Sequence, residues 1–405
     1  MSGRTFSFFA MALAAAASTV AQEHFTLESA LKRARERAPG VLAARARIDE
    51  ARARRLGASV RLRENPTFAA AAGPRGGPEK DTTDVRLGFE QLFETGGQRS
   101  ARISAADADV DREVASSEVV LRQQLRDVAF AFLRGLAARD RLSVASASFE
   151  VAGELHRATE RRFELGDVSA LDLNLARVAA ARTRAELQRA SAEKLSNESR
   201  LRVILSIPNE TPLVLEGDLR EHGRLDPEEV LARASELPEL RALAAEMREA
   251  EAEARLGEAE RRPDLGLGIE LEREEGDRVV RFGGLLRLPW FQSGQARRAE
   301  ASARGRRLGI ELEGARSAAS NELRAAYQIY LARAEAADAM ATLALPSVAD
   351  NDTLAARSYE AGEIGLLDLL ILRRGALEVR FSTIEHLLEA ALSAVELELL
   401  AGVLR

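Results

Sequence analysis

Two short stretches hold the residues best placed for polar chemistry, and they are nearly one stretch written twice. The first runs Arg162-Phe163-Glu164-Leu165-Gly166-Asp167-Val168-Ser169-Ala170-Leu171-Asp172-Leu173. The second runs Ser358-Tyr359-Glu360-Ala361-Gly362-Glu363-Ile364-Gly365-Leu366-Leu367-Asp368-Leu369. Each sets an aromatic residue, a glycine and a carboxylate at the same spacing. A glycine after a helical run suits a left-handed cap. Ser169-x-x-Asp172 has capping-box spacing, and its carboxylate suits the positive end of the next helix. Capping explains each residue singly. It does not explain why the far tip of a long rod needs the same set twice. Carboxylates gathered by symmetry into a confined ring would instead favour cations.

Catalysis has little support. The four histidines, His24, His156, His222 and His386, show no ligand spacing, and there is no cysteine for a metal site or disulfide. Gly266-Leu267-Gly268 lacks the third glycine of a dinucleotide fingerprint and lies in a strand pattern. The pair Glu274-Glu275 sits in a polar loop, where solvation is the simple reading. No catalytic residue, metal or cofactor is expected. With 64 acidic against 58 basic residues and a net charge of −6, nothing marks a nucleic-acid surface.

Other landmarks recur in the same order. Phe93-Glu94-Thr95-Gly96-Gly97-Gln98 returns as Trp290-Phe291-Gln292-Ser293-Gly294-Gln295, and Pro39 has its counterpart near Pro238. All share one offset of roughly 200 residues, which argues for two large copies of one unit rather than a short-repeat array. After an export signal over residues 1–21, we expect a first repeat at 22–220 and a second at 221–405. The signal has Arg4 at its head, an apolar run from Phe6 to Ala17 and small residues to Ala21.

Aromatic residues make up 4% of the chain and charged residues 30%, a composition of long helices in mutual contact. Between Gln98 and Leu165 there is no proline and glycine only at Gly135 and Gly153, so a helix of about 100 Å is possible. The first long hairpin is expected over about 97–206, turning at Gly166, and the second over about 295–404, with a kink at Pro346 and a turn at Gly362. Shorter helices precede each hairpin: Leu27–Arg63, broken at Pro39-Gly40, and Pro227–Arg262, broken at Pro238.

Between short and long helices the period falls to two. Val85, Leu87, Phe89 and Phe93 alternate with Asp84, Arg86, Gly88 and Glu90; Leu265, Leu267, Ile269 and Leu271 alternate with Gly266, Gly268, Glu270 and Glu272. Val280, Phe282, Leu286 and Leu288 alternate with Arg281, Gly283 and Arg287. These are strands. Pro66–Ala72 is a weaker one, with Phe68 its single large apolar residue. Two β-hairpins result, at about 65–93 and 264–290, and four strands in all. Such a sheet either packs on helices with its charged face in water, or forms part of a membrane barrel. Four strands cannot close a membrane barrel, so the second reading demands two, three or four chains.

The two tips, of the form aromatic-x-x-Gly-x-x-x-x-x-Asp at Phe163/Gly166/Asp172 and Tyr359/Gly362/Asp368, resemble those of the TolC family of outer-membrane efflux proteins. The strand-to-helix entries Gln91–Arg99 and Leu288–Gln295 do so too, and the first is similar to the heavy-metal efflux branch. The resemblance covers essentially the whole mature chain. It implies an α+β membrane protein, a homotrimer whose 12-stranded β-barrel in the outer membrane joins a 12-helix periplasmic α-barrel. It implies a passive exit duct for metal ions or drugs in a Gram-negative cell, served by a periplasmic adaptor (membrane fusion protein) and an inner-membrane pump of the RND type. By matched positions, Asp172 and Tyr359 would help hold the aperture shut and Asp368 would join an acidic ring. Phe163, Gly166, Asp167, Ser169, Gly362 and Glu363 would form the adaptor-docking tips. Phe163 lacks the hydroxyl that Tyr359 has. The alternatives are a periplasmic coiled-coil scaffold without a pore, or a duct for type I protein secretion.

Overall fold

The computed structural model describes residues 23–76, 82–209, 211–221, 237–274 and 277–401. The expected export signal, the helix ahead of Pro238, His222 and the tips of both strand loops lie outside the described residues.

Strand β1 (Glu23–Phe25) leads into helix α1 (Leu27–Arg37). Thr26 starts that helix with a reciprocal cap: the Ser29 amide donates to Thr26 Oγ1 at 3.2 Å, and the Thr26 amide donates to Ser29 Oγ at 2.9 Å. Ala38 is extended because Pro39 follows, and Pro39 opens α2 (Pro39–Ser59) in the first turn, where its missing N–H costs nothing. Strands β2 (Thr67–Arg75) and β3 (Thr82–Glu94) form the first hairpin. Helix α3 (Gln98–Glu164) then runs 67 residues, about 100 Å, and α4 (Ala170–Leu205) returns along it. A left-handed residue, Ser206 with φ 52°, closes α4 ahead of Pro208.

The second half repeats this order. Helix α5 (Pro238–Ala259), strands β5 (Asp264–Glu274) and β6 (Asp277–Arg287), and helix α6 (Gln295–Ala339) follow one another. Then come a π-helical segment (Met340–Ala344), α7 (Leu345–Glu360) and α8 (Leu366–Leu400). The kink expected at Pro346 takes the form of that π segment. A proline in the first turn of α7 withdraws a backbone donor, and the preceding turn widens to five-residue spacing.

The expectation of only four strands is corrected. A further parallel ribbon pairs β1 with β4 (Leu213–Leu215), His24 opposite Val214. Three-residue strands are too short for alternation to show. His24 Nδ1 lies 2.6 Å from Glu216 Oε1 and fastens the ribbon further. The ribbon belongs to the main core, where Phe25, Leu213 and Leu215 join Val128, Phe132, Leu133 and Leu136 of α3, Leu201 and Leu205 of α4, and Val395 of α8. Gly135 of α3 explains the close fit: a Cβ there would stand 2.5 Å from Leu215 Cδ1. Smaller cores unite α6 with α8, through Leu323, Tyr330 and Leu397, and α5 with α6, through Leu240 and Leu312.

The two halves are also tied by charge. Glu249 of α5, nearly buried, receives Arg112 of α3 and Arg304 of α6, each at 2.9 Å. Arg298 lies 2.5 Å from Glu258 and holds that exposed carboxyl below the usual carboxylate range.

Candidate functional site

The four long strands form one antiparallel sheet in the order β2-β3-β5-β6, so its central pair joins the two halves of the chain. Register aligns the alternation of all four. Phe68, Phe89, Ile269 and Phe282 stand in one row; Ala70, Leu87, Leu271 and Val280 in the next; Phe93, Leu265 and Leu286 share a third. Along β3, from Val85 to Phe93, this face spans about 27 Å of strand at 3.3–3.4 Å per residue. A band of about 25 Å is what a barrel presents to lipid. The chain leaves it uncovered: Phe282 is 82% exposed, and Val85, Leu87, Phe89, Leu267, Ile269 and Leu286 are exposed with it. At the helical end of β6, Trp290 and Phe291 are 78% and 89% exposed, where an aromatic girdle would meet the interface.

The opposite face is charged, and its charges are paired. Arg86 contacts Glu270 at 2.8 Å and Glu272 at 2.6 Å, and Glu272 also pairs with Arg281, giving a chain of alternating charge across β3, β5 and β6. Glu272 is 8% exposed and has both cations as neighbours, as a buried carboxylate requires. Arg75 meets Asp84 at 2.7 Å, and Arg287 grips both oxygens of Glu64 at 2.6 and 3.2 Å. The expected Gln91–Arg99 entry is where this wall is bolted to the helices. Gln98 Nε2 donates to Arg262 O and to Asp264 Oδ1, both at 3.0 Å, Thr95 Oγ1 donates to Pro263 O, and Arg262 Nη1 donates to Gly96 O. Among the described residues the outer edges of β2 and β6 have no partner strand. An open edge beside an uncovered apolar face is a surface made for more strands.

The other end of the molecule holds the helical tips. Gly166 has φ 83° and Gly362 φ 76°, the left-handed caps expected from sequence. The Asp167 amide donates to Arg162 O and the Glu363 amide to Ser358 O, both at 2.8 Å, closing the last turns of α3 and α7. Ser169 and Asp172 make the full capping box: Asp172 Oδ2 accepts from the Ser169 amide at 3.1 Å and from Ser169 Oγ at 2.7 Å. Its counterpart is thinner. Gly365 has no hydroxyl, so Asp368 Oδ2 accepts only from the Gly365 amide, at 3.3 Å, and Asp368 is exposed. Phe163 is also exposed, and Ser358 Oγ donates to Glu363 Oε2 at 2.9 Å.

Across the tips, Arg162 Nη1 donates to the Tyr359 hydroxyl at 3.5 Å. Within the chain, Tyr359 thus meets an arginine, while Asp172 is engaged by Ser169. Arg162 has no distinct sequence signal, since Arg161 stands beside it. Among the described residues, no group of three or more histidine, aspartate or glutamate side chains is arranged to hold a metal, and no helix is long and apolar enough to cross a membrane. The latter says nothing of a β-barrel.

Residues 30–206 match the family model described as outer membrane efflux protein. Over 300 residues the chain is 29% identical to the cobalt-zinc-cadmium resistance protein CzcC of Cupriavidus metallidurans, spanning 71% of this chain and 70% of that one. Its fold is similar to that of CusC, with TM-score 0.76 and 16% identity over 93% of this chain and 91% of that one. The Neisseria gonorrhoeae MtrE outer membrane channel in its open state gives TM-score 0.74 and 18% identity over 94% and 89%. The matched segment and the relative CzcC make the chain similar to outer membrane efflux proteins, and the wall and tips described above agree with that likeness.

Proposed function

We propose that the chain is the exit duct of a tripartite system exporting divalent heavy-metal cations, working as a homotrimer with a periplasmic adaptor and an inner-membrane pump of the RND type. The matched residues 30–206 and the similar folds support reading it as an outer-membrane efflux channel with a periplasmic helical extension. The observation that supports the duct most is the sheet: unpaired edges, one uncovered apolar face, one ion-paired face, and a direct bolt to helices about 100 Å long. Three such sheets make twelve strands, enough for closure. Residues 22–220 and 221–405 act as two structural repeats, each giving one β-hairpin and one helical hairpin to the assembly.

The metal substrate class is favoured by the relative named for cobalt, zinc and cadmium resistance. Cells lacking the chain should lose tolerance to those three cations and regain it with the wild-type gene. Unchanged metal tolerance alongside new sensitivity to dyes and detergents would shift the substrate to drugs.

Within the duct, Asp172, Tyr359 and Asp368 serve the periplasmic aperture. Phe163, Gly166, Asp167, Ser169, Gly362 and Glu363 form the surface that meets the adaptor. Asp368 makes only one 3.3 Å cap bond, so its charge is poorly used by its own helix and is free to act on passing ions. Asp368→Asn retains an acceptor for the cap and removes three charges from a trimer. Its single-channel cation preference and its block by multivalent cations should both fall. If selectivity is unchanged in an intact trimer, Asp368 is a cap and nothing more.

A further inference from the structure

The apolar face of the sheet has one anomaly. Arg273 of β5 and Arg278 of β6 lie on it, continuing the rows of Leu271 and Val280, and register sets them directly opposite each other. Both are exposed, and neither has a hydrogen bond or ion pair to any described residue. Like charges directly across an antiparallel pair are destabilising. Every other arginine of β3, β5 and β6 sits on the charged face, where Arg86, Arg281 and Arg287 each meet a carboxylate. Among the described residues Arg273 and Arg278 are the only charged side chains on the apolar face, and their row ends in Val85 and Ala72, which offer no counter-charge.

Their position defines what could neutralise them. They close the apolar band at the end where the strand loops lie, opposite to the end bolted to α3 and α6. With the helices in the periplasm, that is the outer rim of the membrane, facing outward into the lipid headgroups. A guanidinium near the interface is tolerated there, and two side by side form a fork suited to bidentate binding of phosphate oxygens.

We propose that Arg273 and Arg278 form a binding site on the outside of the barrel for the phosphorylated headgroup of an outer-leaflet lipid, repeated once per chain. The inference rests on the barrel reading above. It assigns the pair to a lipid-borne phosphate, because the site lies on a lipid-facing surface and continues an apolar band that would take the acyl chains.

The test uses the full-length protein purified as its oligomer in mild detergent and titrated with diphosphoryl lipid A, with the bound lipid counted by native mass spectrometry. The same lipid stripped of its phosphates should bind at least about tenfold more weakly, and the Arg273→Gln/Arg278→Gln protein should lose affinity for the phosphorylated form by a similar factor. Arg273→Lys/Arg278→Lys, which keeps both charges but loses the fork, should bind between wild type and the double Gln protein, and a large excess of inorganic phosphate should not displace the lipid. Where the double Gln protein does not assemble, the two single Gln variants are read instead, each weakened. Equal binding by wild type and Gln variants, indifference to the lipid phosphates, or displacement by inorganic phosphate would each overturn the proposal. None of these results touches the barrel reading. That reading fails separately, and before any lipid is added, if the purified protein is monomeric.

Discussion

Phe89→Arg is expected to cut the amount of assembled protein in the outer membrane by at least about thirtyfold, while Glu90→Arg leaves it close to wild type. Phe89 is in the middle of its strand's apolar row, between Phe68 and Ile269, with Phe282 beyond. An arginine at the midplane of a lipid-facing surface costs about 2–4 kcal/mol per chain, and about 1.4 kcal/mol is already a factor of ten. Glu90 is the next residue along the same strand, yet it points to the charged face, where a change of sign meets water. Quantifying heat-resistant oligomer in outer-membrane fractions checks both. Equal yields from the two variants would mean that both faces meet the same medium, as they would in a periplasmic scaffold.

Gly362→Pro is expected to abolish export while leaving oligomer and barrel intact. Gly362 has φ 76°, and proline is confined to negative φ, so the turn between α7 and α8 cannot form as it stands. The glycine meets nothing else: a Cβ added there has open space around it. Gly362→Ala therefore suffers only the strain of a left-handed backbone, about 1–2 kcal/mol, and should weaken export partially. The graded pair separates a defect in tip geometry from a steric clash. Crosslinking of the proline variant to the adaptor at wild-type levels would remove this tip from the docking surface.

Much of this molecule is legible in the sequence because its elements are long. An uninterrupted run from Gln98 to Glu164 leaves helix as the one regular reading, and the left-handed caps at Gly166 and Gly362 follow from glycines after helical runs. Strict alternation in β3, β5 and β6 says which side chains share a face. It does not say which strand neighbours which. That Arg86 meets Glu272, far along the chain, depends on β3 pairing with β5 across the two halves, a long-range choice that periodicity does not contain. The weak strand at Pro66–Ala72 forms because β3 offers it a partner, although alanines fill most of its positions. Strands β1 and β4 leave no mark in the sequence because three residues hold no period. At the tips, the capping chemistry of Ser169 and Asp172 follows from spacing alone. The Arg162–Tyr359 contact depends on how two hairpins lie side by side. Arg273 and Arg278 were hidden for another reason: they flank a polar loop, where arginine is ordinary, and only the register shows them facing each other among apolar neighbours.

The claim on which the rest depends is that each chain supplies four strands to a shared barrel. The mass of the detergent-purified protein, with the detergent contribution subtracted, tests it most directly. The account predicts three chains of the mature protein per particle, with strand content retained. A stable single-chain particle that keeps its strand signal would contradict it, because a four-stranded sheet with two open edges and a bare apolar face cannot close a membrane barrel alone.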